Sequence, residues 1–272
     1  MISIITSVHN QLGMNKLFLE NLREKTKLPF ELIVVDNNST DGSREYFTAN
    51  ADKIITNNAN YSYPHCQNQG IAVAQFNHLA FFNNDIIVTR NWDTRILKLM
   101  EDNQIEVASF ATNDHLESKE AHKIMSRRWK RSKNPIHKTL GTGYPMLKLM
   151  LWLMYRDLDK FGEQRFEKFG YNTIEGYSGS CIIMKKNVLD KIGHWDNRIL
   201  GSDFDLFNRV KVRSIEKGDI KPIQLAMGIY IHHFQRLTLR SNREPFADQD
   251  NFITLEEKWG DRTATLRSDI IG

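Results

Sequence analysis

Glu31 to Ser43 reads ELIVVDNNSTDGS, and this stretch decides the fold. ELIVV is a short run of mostly branched apolar residues, the composition of a strand buried on both faces. It ends on Asp36, and DNNSTDGS is dense in residues that make turns and cap helices. A helix through Tyr46 and Phe47 follows, so the stretch is one strand–turn–helix unit. The same unit precedes it. Ile2 to Val8 (ISIITSV) is a buried strand, and residues 14–25 place Leu17, Phe18 and Leu22 on one helical face before Pro29 stops the helix. Downstream, Ile54-Ile55 marks a short third strand, 65–76 another helix and Leu79 to Phe82 a fourth strand. Strands separated by helices imply an α/β fold with a mostly parallel sheet flanked by helices on both faces. In such sheets ligands bind where loops leave the carboxyl ends of the strands. Asn10, Asp36 and Asp85 stand at those places.

Hydrophobic residues make up 40% and charged residues 26% of 272, enough apolar surface to build a core. Six Pro and 15 Gly argue against a collagen-like or low-complexity chain. No run of 18 apolar residues exists to span a bilayer. The start MISIITSVHN lacks the basic region and small-residue cleavage site of a signal peptide. Two cysteines, Cys66 and Cys181, are too few for a disulfide framework or a structural zinc site, so a cytoplasmic location is expected. The net charge of +4 is local: residues 115–140 hold eight Lys/Arg against two Glu, +6, leaving about −2 elsewhere. A second ordered stretch starts near Tyr177: a strand (CIIMKK), a helix ending near Gly193, a polar loop (DNRILGSDFD), a helix to about Lys217 and a strand into His232-His233. A final helix is expected within 246–259.

Six motifs then fall in a familiar order. They are SIITSVHN at the start, ELIVVDNNSTDGS, QNQG at 67–70, FFNND at 81–85, GSDFDL at 201–206 and IHHFQRLT at 231–238. Together they resemble the family 2 glycosyltransferases of the GT-A fold over nearly the whole chain. The resemblance implies a Rossmann-like sheet in a single domain, 1–272. Its expected parts are a nucleotide-binding half (1–113), a basic and apolar insertion (114–176), an acceptor and catalytic half (177–240) and a helical tail (241–272). The activity it implies is transfer of one sugar, with inversion, from a nucleotide sugar to a hydroxyl. UDP is the nucleotide most often used in this family.

The chemistry accounts for the residue types. The nucleotide diphosphate leaves with growing negative charge, and a hard divalent cation, Mn2+ or Mg2+, stabilises it and favours carboxylate oxygens. FFNND resembles the family's DxD variant, with Asn83 and Asn84 in the first two places, so Asp85 supplies this loop's carboxylate and Asn84 stands beside the donor. His233, favoured over His232 by counting back from Thr238, is the second expected metal contact; a structural histidine is the alternative. Only one of the two can face the site, because successive strand residues point to opposite sides. Asp36 is expected to bind the base or ribose, with Thr6, Val8, Asn10, Ser39 and Asn68 lining the same pocket and Arg236 reaching a donor phosphate. The ED-x-D-L motif of the family is Ser202-Asp203 here, so its first acid is absent and Asp203 is the expected general base. A capping role for the helix that follows is the alternative. Gly179, Ser180, Trp195, Asp196 and Asp205 are expected on the acceptor side, with Trp195 either stacked on a sugar or packed in the core.

Other classes lose support. There is no Gly-x-Gly-x-x-Gly or Walker A run, no His-Glu-x-x-His, and GYSGS at 176–180 lacks the spacing of a nucleophile elbow. A binding module for nucleotide sugar or glycan that has lost catalysis is the competing reading, motivated by the missing acid and the altered histidine strand. A nucleotidyltransferase is disfavoured because no glycine-rich loop follows the first strand. The insertion mixes MSRRWKRSKNPIHK at 125–138 with PMLKLMLWLMYRDL at 145–158. It reads as a solvated basic loop and a core or lid helix, as a peripheral membrane contact through 125–155, or as a surface for an acidic or lipid-linked acceptor glycan. Nucleic acid is not expected as a partner, since no nucleic-acid module accompanies the charge. A role in surface polysaccharide synthesis follows by analogy with the family.

Overall fold

The computed structural model describes residues 1–235, 237, 245–262 and 266. In chain order the elements are β1 (Ile2–Val8), α1 (Leu12–Lys25), β2 (Phe30–Asn37), α2 (Ser43–Asn50), β3 (Lys53–Asn57), α3 (Tyr63–Val73) and β4 (His78–Phe82). These realise the strand–helix alternation expected from the first eighty residues. Then come β5 (Ile86–Val88), α4 (Trp92–Asp102), β6 (Val107–Thr112), α5 (Lys119–Leu140), α6 (Tyr144–Tyr155), α7 (Leu158–Phe169) and β7 (Thr173–Glu175). The chain continues through β8 (Cys181–Lys185), α8 (Val188–Ile192), α9 (Ser202–Lys217), β9 (Gln224–His233) and α10 (Leu255–Trp259).

Among the described residues nine strands form one sheet in the order β3-β2-β1-β4-β8-β6-β9-β5, with β7 also paired to β9. The β3-β2-β1-β4 half is parallel. In the other half β8 runs antiparallel to β4 and β6, β5 and β7 run antiparallel to β9, and β6 pairs parallel with β9. Alternation along each strand sends side chains to two cores. Ile2, Ile4, Leu32, Val34, Ala80 and Phe82 face one, while Ile5, Ile33, Leu79 and Phe81 face the other. Gly70, from QNQG, sits where a Cβ would lie 2.3 Å from Ile5 Cγ2, so α3 can pack this closely on β1 only with a glycine there.

The basic stretch at 125–138, for which a solvated loop is one of three readings, lies in the 22-residue helix α5. Met125, Trp129, Ser132 and Ile136 recur at helical spacing and are buried, which ties the helix to the body of the protein. With Leu147, Met150 and Met154 of α6 and Tyr230 of β9 they form a third core. Sequence periodicity passed over β5, α4, β6 and β7. Two of these strands are only three residues long, too short for an alternating pattern to register. The tail is less helical than expected. A 3-10 turn at Gln249–Asn251 precedes α10, which starts only where Thr254 and Glu257 make a reciprocal capping box. Among the described residues no helix is long and apolar enough to cross a membrane.

Candidate active site

Three strand ends bring polar residues together. β4 pairs antiparallel with β8 at Phe82 and Cys181, so the Asn83–Asp85 turn lies beside Ser178–Ser180, and Asn83 N donates to Ser180 O at 2.9 Å. β5 pairs with β9 so that Ile86 faces His233, which places Asp85 next to that histidine. β6 pairs with β9 up to Thr112 and Ile231, which brings Asn113 and Asp114 to His233.

His233 is held on both ring nitrogens. Nδ1 lies 3.0 Å from Asp114 Oδ2 and Nε2 lies 3.3 Å from Asp85 Oδ1. Its backbone also donates to Asn113 Oδ1 at 2.7 Å. Burial alone disfavours a charged imidazole, but the charges of Asp85 and Asp114 outweigh it, and the His233 pKa lies well above its usual value. Asp114 is pulled the other way: burial would raise it, yet the His233 charge holds it below the usual carboxylate range. His232 points to the opposite side, into Trp129 and Tyr155, with Nδ1 2.9 Å from the Tyr155 hydroxyl. Burial, then the adjacent His233 charge, lower its pKa, so it stays neutral. The two histidines thus lie on opposite faces of the strand with pKa values shifted in opposite directions.

Asp203 opens α9, and its carboxylate occupies the space a side chain at Gly179 would need. A Cβ on Gly179 would lie 2.2 Å from Asp203 Oδ2. The Asp203 charge also acts on His115 and Tyr63. His115 is kept below its usual pKa by burial, with Asp114 and Asp203 pulling it up and His122 and His233 pushing it down. Hydroxyls link this side to the histidine. Asp114 Oδ1 accepts from Thr112 Oγ1 at 2.6 Å, Thr112 Oγ1 lies 3.3 Å from Ser178 Oγ, and Ser178 Oγ lies 3.0 Å from Ser180 Oγ. Asp85, His233, Asp114, Ser180, Gly179 and Asp203 therefore form one connected edge of the sheet.

The residues expected around the nucleotide surround the carboxyl ends of β1 and β2. Val8 and Asp36 are direct register partners. Asn10 has φ of 60°, its N–H donates to Ser39 Oγ at 2.8 Å, and its Oδ1 accepts from Thr40 N at 2.8 Å. Asp36 is fully buried: Oδ2 accepts from Arg44 Nε at 2.7 Å, whereas Oδ1 is buried with no hydrogen-bond partner among the described residues. Thr6 Oγ1 is likewise buried and unsatisfied. Unpaired buried oxygens are costly, so this end of the sheet is short of donors. Asp41 serves the starts of two helices: its Oδ1 accepts from Ser43 N of α2 at 3.1 Å and its Oδ2 from Leu12 N of α1 at 2.8 Å.

Several other expected residues are committed elsewhere. Asn68 is spent on the loop before α9: its Nδ2 donates to Trp195 O and Asn197 Oδ1, both at 2.8 Å, and its Oδ1 accepts from Trp195 N at 3.1 Å. Asn84 Nδ2 donates to Asn15 Oδ1 at 2.7 Å. Trp195 is core, edge-on to Tyr63 and Phe81. Asp196 pairs with Arg198 and Lys258, and the Arg198 hydrogen bonds hold its carboxyl well below the usual range. Asp205 is fully buried and accepts from Arg209, Lys258 and Trp259. Arg236 lies outside the described residues. Cys66 and Cys181 are buried and burial pushes both thiols up to about 12, so neither is a nucleophile at neutral pH.

Sequence reasoning missed Asp114, His115 and Arg44. The signal for Asp114 was present, since an acid after an apolar run (VASFATND) repeats the pattern of Asp36 and Asp85. Among the described residues no group of three His, Cys, Asp or Glu side chains is arranged to hold a metal by itself. The donor set still fits a divalent ion that takes most of its ligands from a substrate diphosphate and water. Asp85 offers a hard oxygen, and His233 presents Nε2 beside it while Nδ1 is oriented by Asp114.

A sheet of this order with an acidic, histidine-bearing edge defines a GT-A-type transferase fold. The profile of glycosyl transferase family 2 matches residues 3–193, more than half of the chain, and the chain belongs to that family. Solved structures agree on the fold. One is the mannosyltransferase PcManGT from Pyrobaculum calidifontis in complex with GDP-Man and Mn2+: TM-score 0.50, 12% identity, covering 82% of this chain and 56% of that one. Another is S. aureus TarS 1-349: TM-score 0.53, 11% identity, covering 92% of this chain and 68% of that one. The same TarS fragment with UDP gives 0.51 and 12%, covering 85% of this chain and 60% of that one. The chain thus spans little more than half the length of the mannosyltransferase it matches. No curated protein sequence matches it significantly.

Proposed function

We propose that this chain transfers a sugar, with inversion, from a nucleotide sugar to a hydroxyl of a glycan or lipid-linked acceptor in surface polysaccharide synthesis. The observation that carries this reading is the approach of Asp203 to Gly179, on the same sheet edge as the Asp85–His233–Asp114 cluster. One edge then holds a carboxylate able to take a proton and an acid–histidine pair able to serve the leaving group.

Asp203 Oδ2 accepts the acceptor hydroxyl's proton as the new glycosidic bond forms. Asp85 and His233 would hold Mn2+ or Mg2+, which supplies charge stabilisation to the departing diphosphate. Asp114 orients the His233 ring. Asp36 would accept from a ribose hydroxyl or base N–H through Oδ1, which has no hydrogen-bond partner among the described residues, with Val8, Asn10 and Ser39 shaping the pocket around it. The solved relatives hold GDP-Man with Mn2+ in one case and UDP in another, so both nucleotides belong in the test.

The test is a thermal-shift panel of UDP, GDP, dTDP and CMP, each with and without Mn2+. A ligand that binds only the folded state raises the melting temperature. One nucleotide is expected to give a metal-dependent rise, and its sugar donor is expected to be turned over. Cooperative melting with no shift from any of the four would sink the reading.

A further inference from the structure

Four of the eight Lys and Arg residues of α5 share one stripe. Lys119, Lys123, Arg127 and Lys130 recur at intervals of four, four and three, which on a helix is a single stripe. All four are exposed. Among the described residues none is paired with a carboxylate. The stripe is about 16 Å long at 1.5 Å per residue. It lines a groove of about 490 Å³ whose other end is formed by Asp114 and His115, the pair beside His233 and within the field of Asp203. The opposite face of α5 is buried through Met125, Trp129 and Ile136, so the stripe is fixed relative to the site.

We propose that this groove is the acceptor track and that the acceptor is a polyanion: a glycan or polyol chain bearing phosphate or carboxylate groups along its length. The inference rests on the reading of the site as a transferase. The charge is complementary, and four unpaired cations in a concave groove concentrate an anionic chain at its mouth. The groove leads to the base, so a chain lying along α5 delivers a terminal hydroxyl towards Asp203. A membrane surface is the weaker occupant. It calls for a continuous apolar band beside the cations; among the described residues α5 exposes only Ile124 and Leu140, at different ends of the helix, and exposed Trp152 of α6 lines a separate groove against α1.

The probe is a dye-labelled glycerol-phosphate hexamer, read by fluorescence anisotropy on the full chain. The native protein is expected to bind it with an affinity that falls as salt rises. Lys123→Gln/Arg127→Gln/Lys130→Gln is expected to weaken binding about ten-fold or more. Lys16→Gln/Lys27→Gln/Lys217→Gln, with the same change in net charge, is expected to bind as the native protein does. Equal binding of a neutral oligosaccharide, or an unaffected triple variant, would overturn the proposal. So would co-sedimentation with phosphatidylglycerol vesicles that the α5 variant loses, if the hexamer itself did not bind. The nucleotide panel, run on the same preparations, separates the two ideas: native protein that binds the hexamer but no nucleotide keeps the anion site and loses the transferase reading.

Discussion

Gly179 has no side chain at the point where Asp203 places its carboxylate. Any Cβ there collides with the expected base, so Gly179→Ala must turn Asp203 away. Turnover is expected to fall by about 10²–10⁴-fold, the usual worth of a general base, with donor KM and Tm little changed. Asp203→Asn should match that loss while keeping the metal-dependent nucleotide shift, and transfer at the parental rate would remove Asp203 from the role. Asp114 acts through its neighbour. It fixes His233 at 3.0 Å, so Asp114→Ala is expected to weaken Mn2+-dependent nucleotide binding about 10–100-fold in a metal titration. An unchanged metal affinity would make Asp114 a purely structural partner.

At the scale of elements, α5 and α10 connect the edge that bears His233 and Asp203 to the rest of the fold. Trp129 of α5 lies against His232 and Phe234, with ring centroids 4.8 and 5.6 Å apart. It is nearly fully buried, so Trp129→Ala is expected to cost about 3–5 kcal/mol in urea denaturation. A loss under 1 kcal/mol would mean that α5 is only loosely attached. α10 is tied to α9 by Lys258 and Trp259 on Asp205, two residues after the proposed base. The Asp205 pairs therefore fix the start of α9, and with it the direction of Asp203.

For the whole molecule, the β1–β2–β3 end of the sheet depends on one buried acid. Glu31 accepts from Ser3 Oγ at 2.5 Å, Lys53 Nζ at 2.7 Å and Gln75 N at 2.6 Å. Burial alone would raise its pKa, but these partners outweigh burial and hold it below the usual 4.5. A depressed carboxylate contributes stability that is fully present above the ordinary value and lost as pH falls through the folded-state value. Melting temperature is therefore expected to drop below about pH 4.5, and Glu31→Gln to be less stable at neutral pH with a shallower acid slope. Equal slopes in the two proteins would assign the acid sensitivity to other groups.

The repeated strand–turn–helix units were legible because each is local. ELIVV, ISIITSV and LAFF carry their own burial pattern, and Asp36 and Asp85 stand out because an acid after a buried strand is a one-dimensional signal. The antiparallel half was not legible. β5 and β7 are three residues each, and their place depends on β9, about 50 residues away for β7 and more than 140 for β5. The same holds for single residues. Sequence singled out Asp203 and His233 by motif. It could not tell that Asn68 and Asn84 spend their amides on neighbouring loops, that Arg44 already occupies one Asp36 oxygen, or that Asp114 completes the histidine. Periodicity reports which face of an element is apolar. Which polar groups meet across a sheet edge is set by strand register, and only the folded chain fixes register.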